Sequence, residues 1–127
     1  KCHGYDVIVG GGLLTDFSDH PRKIIDLPKL GIKSTAAGRY QVLAKNYDAY
    51  KKQLRLPDFS PASQDAIALQ LIRECKAVDD IESGRIESAL TKCRSRWASL
   101  PGAGYGQHEH KMENLVAVYK QRGGTVA

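Results

Sequence analysis

The chain has 127 residues, 42% of them hydrophobic and 26% charged, with a formal net charge of +5. That length suits one domain with one modest core and leaves no room for two, and no apolar run approaches the roughly 18 residues that a membrane span requires. A basic domain of pI near 9.2 favours polyanionic surroundings: nucleic acid, an anionic membrane surface or an acidic cell-wall polymer.

The opening "KCHGYDVIVG" lacks the long apolar stretch and small-residue cleavage site of a signal peptide. The first residue is Lys1 and the one methionine is Met112, so the natural protein is expected to be longer or processed at this end. Three cysteines, Cys2, Cys75 and Cys93, are an odd number without CxxC spacing, which fits reduced thiols in a cytosolic setting better than a disulfide framework and leaves room for one bridge. Cys75 and Cys93 fall on apolar helical faces, where a buried structural thiol is the plain reading.

In chain order, residues 5–9 (Tyr-Asp-Val-Ile-Val) read as a strand, Gly10 to Gly12 as a tight turn, and 13–17 as a returning strand. The stretch "SDHPRKIIDLPKLGIKS" mixes prolines and charges and predicts irregular loop with at most short strands. From Ser34 the pattern turns helical, with Val42, Leu43, Tyr47, Tyr50 and Leu54 on one stripe. A second helix opens with Ser60 as its cap and Pro61 at its first position. Its apolar face runs through Ile67, Leu71, Cys75 and Val78. After a short segment, Gly84 breaks the chain ahead of a helix carrying Ile86, Ala89, Leu90, Cys93 and Trp97. A glycine-rich loop, "SLPGAGYGQ", precedes a last helix from about 108 to 122, with Met112, Leu115, Val116 and Tyr119 inward and Gly123 as its stop. The predicted architecture is α+β, a small sheet followed by a mostly helical lobe.

"YDVIVGGGLL" looks like the start of a dinucleotide-binding domain. A phosphate-binding turn needs G-x-G-x-x-G opening into a helix, but the last position counted from Gly10 is Thr15, and "LLTDFSDHPRK" is no helix. The glycines are those of a hairpin turn.

Four polar stretches stand out: "TDFSDHPRK", "STAAGRYQ", "SLPGAGYGQ" and "HEH". Each has a plain explanation. Histidines at i and i+2 of a helix point to different faces and make a poor metal site. Ser34 and Thr35 suit a helix cap, Tyr40 a core position, and Asp16 and Asp19 turns. Tyrosines, an arginine and amides in separate loops also suit a sugar-binding cleft, where phenol rings face pyranoses and amides address acetamido groups.

The segments "HGYDVIVGG", "TDFSDHPRK", "KSTAAGRYQ", "FSPASQDAIALQ" and "WASLPGAGYGQHEHK", in this order, resemble the endolysins of lambdoid phages and prophages over nearly the whole chain. "STAAGRYQ" is also similar to the helix-entrance motif of goose-type lysozymes and related transglycosylases. The resemblance implies a single lysozyme-like domain over 1–127. It implies lytic transglycosylase chemistry on peptidoglycan, cleaving the β-1,4 bond between N-acetylmuramic acid and N-acetylglucosamine with 1,6-anhydromuramic ends, without metal or cofactor.

By the same resemblance Tyr105 and Gln41 support the reaction centre. Ser34, Gly38, Arg39, Tyr40 and Gln107 contact the saccharide, and the loops 19–23 and 101–107 form two lips over the glycan. The partner is the peptidoglycan glycan strand, with neither nucleic acid nor stable membrane association. The protein is expected to be a monomer, held in the host cytoplasm until a holin releases it to the periplasm.

Two departures from the family pattern stand out. The family's general acid is a glutamate in a Trp-Ser-Glu-Gly type segment ahead of the "HGYDV" strand, whereas the first glutamate here is Glu74. Gly12 stands where the family carries an acidic residue. The 127-residue chain is therefore expected to bind glycan weakly and to cleave it poorly or not at all, and to self-associate if the family's first helix is missing from it. A catalytically inactive wall-binding module would use the same cleft, and a basic nucleic-acid binder has only the charge in its favour.

Overall fold

The computed structural model describes residues 4–28, 31–97, 100, 110–124 and 126. It divides into two compact units, Lys1–Leu69 and Gln70–Ala127.

In the first unit the turn at Gly10 and Gly11 forms as expected, with both glycines at positive φ (88° and 100°) and Gly11 N–H bonded to Ile8 O at 3.0 Å. The hairpin it closes is a single bridge, Val7 to Leu13, rather than the two strands predicted. Residues 7–9 spend their other edge on a different partner: Val9 N–H donates to Ala36 O and Gly38 N–H to Val7 O, at 3.0 and 2.7 Å. Leu14 N–H still reaches Asp6 O at 2.8 Å, but residues 15–17 leave, and Phe17 O accepts from Phe59 N–H at 2.8 Å.

The two named strands are the short strands allowed for in the stretch read as mostly irregular loop. β1 (Ile25–Leu27) pairs antiparallel with β2 (Ile32–Ser34), with Ile25 opposite Ser34 and Asp26 opposite Lys33. β-Branched residues and one cross-strand opposite-charge pair explain why so short a ribbon forms.

Helix α1 is Ala44–Leu54, ten residues later than predicted. Residues 34–43 fold back on themselves because Gly38 and Gln41 adopt positive φ (84° and 52°) and Ala37 bridges Val42. The capping role foreseen for Thr35 survives over a longer loop, since its Oγ1 accepts from Ala44 N–H at 2.9 Å. Helix α2 (Pro61–Glu74) opens as predicted, and Ser60 Oγ accepts from Ser63 N–H at 3.4 Å.

The core of the first unit holds Ile8, Leu14, Ala36, Ala37, Val42, Tyr47, Phe59, Ile67 and Ala68, with His20, Ser63 and Gln64 buried among the polar residues. Tyr47 meets Phe59 edge-on at a centroid distance of 5.2 Å, and His20 lies 4.9 Å from Phe59, spacings at which aromatic pairs attract beyond their buried area.

In the second unit, α2 ends before Cys75 and Lys76 turns the chain with φ 60°. Val78 therefore starts α3 (Val78–Glu82) and does not extend the α2 face as predicted. Gly84 (φ 78°) separates α3 from α4 (Ile86–Cys93). Trp97 lies beyond α4 and packs with Ile72, Cys75 and Leu100 against Ala77, Ala89 and Cys93. Buried Asp80 accepts from Arg85 Nε at 2.9 Å, Lys92 Nζ at 2.6 Å and Ser88 Oγ at 3.1 Å. Helix α5 is Met112–Gln121. Its predicted inner residues, Met112, Leu115, Val116 and Tyr119, are half-buried, and Gly123 ends it at φ 93°.

Candidate functional site

Ser34, Gly38, Arg39, Tyr40 and Gln41 come together on one turn of the first unit, between β2 and α1. Ser34 Oγ accepts from Ala36 N–H at 3.1 Å, which sets the bend leaving β2. Gln41 is exposed and spends its amide NH2 on the turn itself, donating to Gly38 O at 2.8 Å and Val7 O at 3.2 Å. Gly38 is buried, and a Cβ placed on it would fall 2.9 Å from Gln64 Cδ and from Phe59 Cζ. No real side chain tolerates such contacts, so this position requires glycine for packing as well as for its φ.

The residue that builds the turn from beneath is Gln64 of α2, 1% exposed. Its Oε1 accepts from Arg39 N–H at 3.0 Å, while Nε2 donates to Phe59 O at 2.9 Å and Tyr5 O at 3.1 Å. One amide thus ties together the opening segment, the 38–41 turn and the start of α2.

Above it lies a polar aromatic surface. The phenols of Tyr5 and Tyr40 both donate to Asp65 Oδ1, each at 2.8 Å. Arg39 stacks over the Tyr5 ring at 5.1 Å and donates to its hydroxyl at 3.2 Å. Partial burial and the Asp65 carboxylate raise the Tyr40 pKa well above the phenol range, so Tyr40 is a fixed donor at neutral pH. The exposed guanidinium over the Tyr5 ring offers directional donors of the kind that saccharide oxygens accept. Asp65 and Gln64 are the members that sequence reasoning missed. Polar residues on a helix facing solvent or a turn carry no spacing signal of their own.

The loop 19–23 is anchored just as firmly. His20, 2% exposed, donates from Nε2 to Val42 O at 2.7 Å and accepts at Nδ1 from Arg22 N–H at 2.9 Å. Those two bonds define the neutral Nε2–H tautomer, and burial lowers the His20 pKa. Arg22 then clamps outward, donating to both Asp19 oxygens and to Asp48 Oδ2 of α1 at 2.9 Å. Asp16 accepts from Ser18 N–H at 2.8 Å and Asp19 from His20 N–H at 2.9 Å, the turn-forming role expected of both. These bonds hold both carboxyls below their ordinary pKa, Asp16 through Ser18 and Asp19 chiefly through Arg22.

Tyr105, Gln107 and the loop 101–107 lie outside the described residues, as do two members of "HEH". Its last member, His110, is exposed ahead of α5. Among the described residues no three His, Cys, Asp or Glu side chains converge as a metal site, and no helix is long and apolar enough to cross a membrane.

A short antiparallel ribbon, a glycine-centred turn under a polar aromatic surface and a run of short helices define an α+β, lysozyme-like protein. Comparison with known proteins makes that specific. A sequence model of the Endolysin family matches residues 1–126. The endolysin of Escherichia phage lambda is 62% identical over 127 residues, covering 99% of this chain and 79% of that protein. The endolysin of Escherichia phage P2 is 55% identical over 136 residues, covering 100% of this chain and 82% of that protein. The crystallised bacteriophage lambda lysozyme complexed with a chitohexasaccharide superposes with a TM-score of 0.93 at 60% identity, over 97% of this chain and 79% of that one. This chain belongs to the endolysin family.

Proposed function

We propose that the chain is the glycan-binding majority of a phage or prophage endolysin that degrades peptidoglycan as a lytic transglycosylase. The observation that carries this reading is the Tyr5–Arg39–Tyr40–Asp65 surface on a turn braced by Gln64. It lies in a chain of 60% identity to a lysozyme solved with a chitin hexasaccharide. Arg39 and Tyr40 contact the glycan directly. Ser34, Gly38 and Gln41 shape the turn that presents them, with Gln41 nearest the reaction centre. Tyr105 and Gln107 complete the site from the loop 101–107.

In the proposed reaction the glycosidic oxygen takes a proton from a carboxylic acid. The carboxylate so formed takes the proton of the muramic C6 hydroxyl as the hydroxyl oxygen attacks C1. The C1–O bond to N-acetylglucosamine breaks, and a 1,6-anhydro ring forms without addition of water. The acid must be protonated when substrate binds, which requires a raised pKa. Asp16 and Asp19 have lowered ones, and Glu74 is paired with Arg96 at 3.2 Å, so none of the three fits the role. By the family resemblance we assign that role to the glutamate that the family carries ahead of the segment matching residues 5–9. Action on the wall follows holin-mediated release from the host cytoplasm, and the working form is a monomer that needs neither cofactor nor nucleic acid.

The test is a paired digestion of purified peptidoglycan by the 127-residue chain and by the same chain carrying the family's N-terminal segment. Mass spectrometry of the products reads the chemistry. Anhydromuramic ends from the extended protein alone support the proposal. Reducing ends would show hydrolysis, and equal activity of both proteins would place the acid within 1–127. Binding without cleavage by both would favour an inactive wall-binding module.

A further inference from the structure

Cys75 and Cys93 occupy positions that the glycan site does not use. Cys75 follows the last residue of α2, and Cys93 is the last residue of α4. Both are free thiols in the same apolar cluster, Cys93 buried at 6% exposure and Cys75 partly open to solvent. Cys75 packs against the cluster that contains Cys93, close enough for its sulfur to act on the Cys93 thiol. Ala77, Ala89, Ile72, Trp97 and Leu100 pack in the same cluster. From the placement of these two free thiols in one packed cluster at the ends of α2 and α4, we infer that Cys75 and Cys93 form a disulfide when the protein enters an oxidising compartment.

The chemistry assigns an order to the two sulfurs. Cys75, the accessible one, attacks a sulfur of an oxidant disulfide (oxidised glutathione or an oxidoreductase disulfide), giving a mixed disulfide and one released thiolate. Cys93 gives its proton to solvent and attacks the Cys75 sulfur, releasing the second thiolate. In sum, two protein thiols lose two electrons and two protons, and the oxidant becomes two thiols. Burial and the neighbouring Cys75 sulfur push the Cys93 thiol up to about 11, which makes Cys93 the slow, resolving partner rather than the one that reacts first. Closure staples the C-terminal ends of α2 and α4 together around the Ala77–Ala89 cluster and constrains the unfolded chain through the intervening loop. That the oxidising compartment is the periplasm rests on the peptidoglycan reading. The cross-link itself does not depend on it.

The experiment is thiol counting on the full chain after incubation in oxidised or reduced glutathione, followed by acid quench, alkylation under denaturing conditions and mapping of linked peptides by mass spectrometry. The reduced protein should alkylate at all three cysteines and the oxidised protein at Cys2 alone, with a Cys75–Cys93 linked peptide. Oxidation should also raise the melting temperature, by about 10 °C. The C75S variant should show no linked peptide and the same melting temperature in both buffers. A bridge involving Cys2, a stable glutathione adduct on Cys75 with Cys93 still alkylated, or a melting temperature that falls on closure would each overturn the inference. Wall degradation is not measured, so failure here and failure of the peptidoglycan reading are separate results.

Discussion

Gln64 and Gly38 form one interlocked unit: the amide that braces the 38–41 turn occupies the space where a Cβ on residue 38 would stand. Gly38→Ala must displace Gln64 or Phe59 and also hold alanine at a φ of 84°. Unfolding in urea should show a loss of about 2–4 kcal/mol, since both backbone strain and overpacking act at once.

Gln64→Ala is the complementary test. It strands the Arg39 N–H and removes the donor to Phe59 O and Tyr5 O. A cost of about 2–4 kcal/mol is expected, from unsatisfied buried groups plus a cavity. The double variant should cost less than the sum of the two, because the clash with Gln64 disappears and only Phe59 Cζ is left to yield.

His20 gives the first unit a pH dependence of definite sign. Its folded pKa lies below the ordinary value of 6.5, so the unfolded chain binds the proton first. Stability is therefore full above that value and falls as pH drops through it. Thermal melts of the wild type should decline between about pH 7 and pH 5. His20→Gln keeps a donor of similar reach for Val42 O and does not titrate, so its decline over that range should be smaller. A wild type as level as the variant would contradict the buried neutral tautomer.

In the second unit Asp80 plays the corresponding part in acid. Lys92 and Arg85 hold its carboxyl at about 2, against an ordinary 3.8. With the folded value depressed, its stabilising effect is complete above the ordinary value and is lost as pH falls towards the folded one. Asp80→Asn should lower the melting temperature at neutral pH by roughly 5–10 °C. The gap between wild type and variant should close as pH falls from about 5 to 2.

How far the sequence carried this picture depends on the kind of information each feature uses. The Ser60–Pro61 start of α2, the Gly84 break and the Gly123 stop were legible because caps and helix stops are local chemistry. The late start of α1 was not, because Gln41 adopts positive φ, which its residue type does not announce, and Val7 and Ala36 supply the bonds that hold the turn. The same long-range pairing reduced the predicted 5–17 hairpin to one bridge. Arg39 and Tyr40 stood out as candidates because "STAAGRYQ" is a polar, aromatic stretch that suits a sugar-binding cleft, and the family resemblance assigned them saccharide contact. Asp65 and Gln64, which position them, sit on a helix whose pattern explains only its buried face.

The site's own chemistry predicts a graded response. Tyr40→Phe removes one donor to Asp65 and keeps the ring, so glycan binding should weaken only severalfold, about 1 kcal/mol. Arg39→Ala removes the stacked cation and its donors, and should weaken binding about tenfold or more, on the order of 1.5–3 kcal/mol. Titration calorimetry with chitin oligosaccharides reads both, and equal affinities for wild type and Arg39→Ala would remove Arg39 from the site.

The most direct measurement is a titration of the isotopically labelled chain with a chitin hexasaccharide, followed by amide chemical shifts. If the Tyr5–Arg39–Tyr40–Asp65 surface is the saccharide contact, the amides of residues 38–41, Tyr5 and Asp65 should shift together along one binding curve, and Arg39→Ala should weaken that curve. Shifts confined to other residues, or a curve unchanged by Arg39→Ala, would contradict the assignment of this turn as the glycan-binding site.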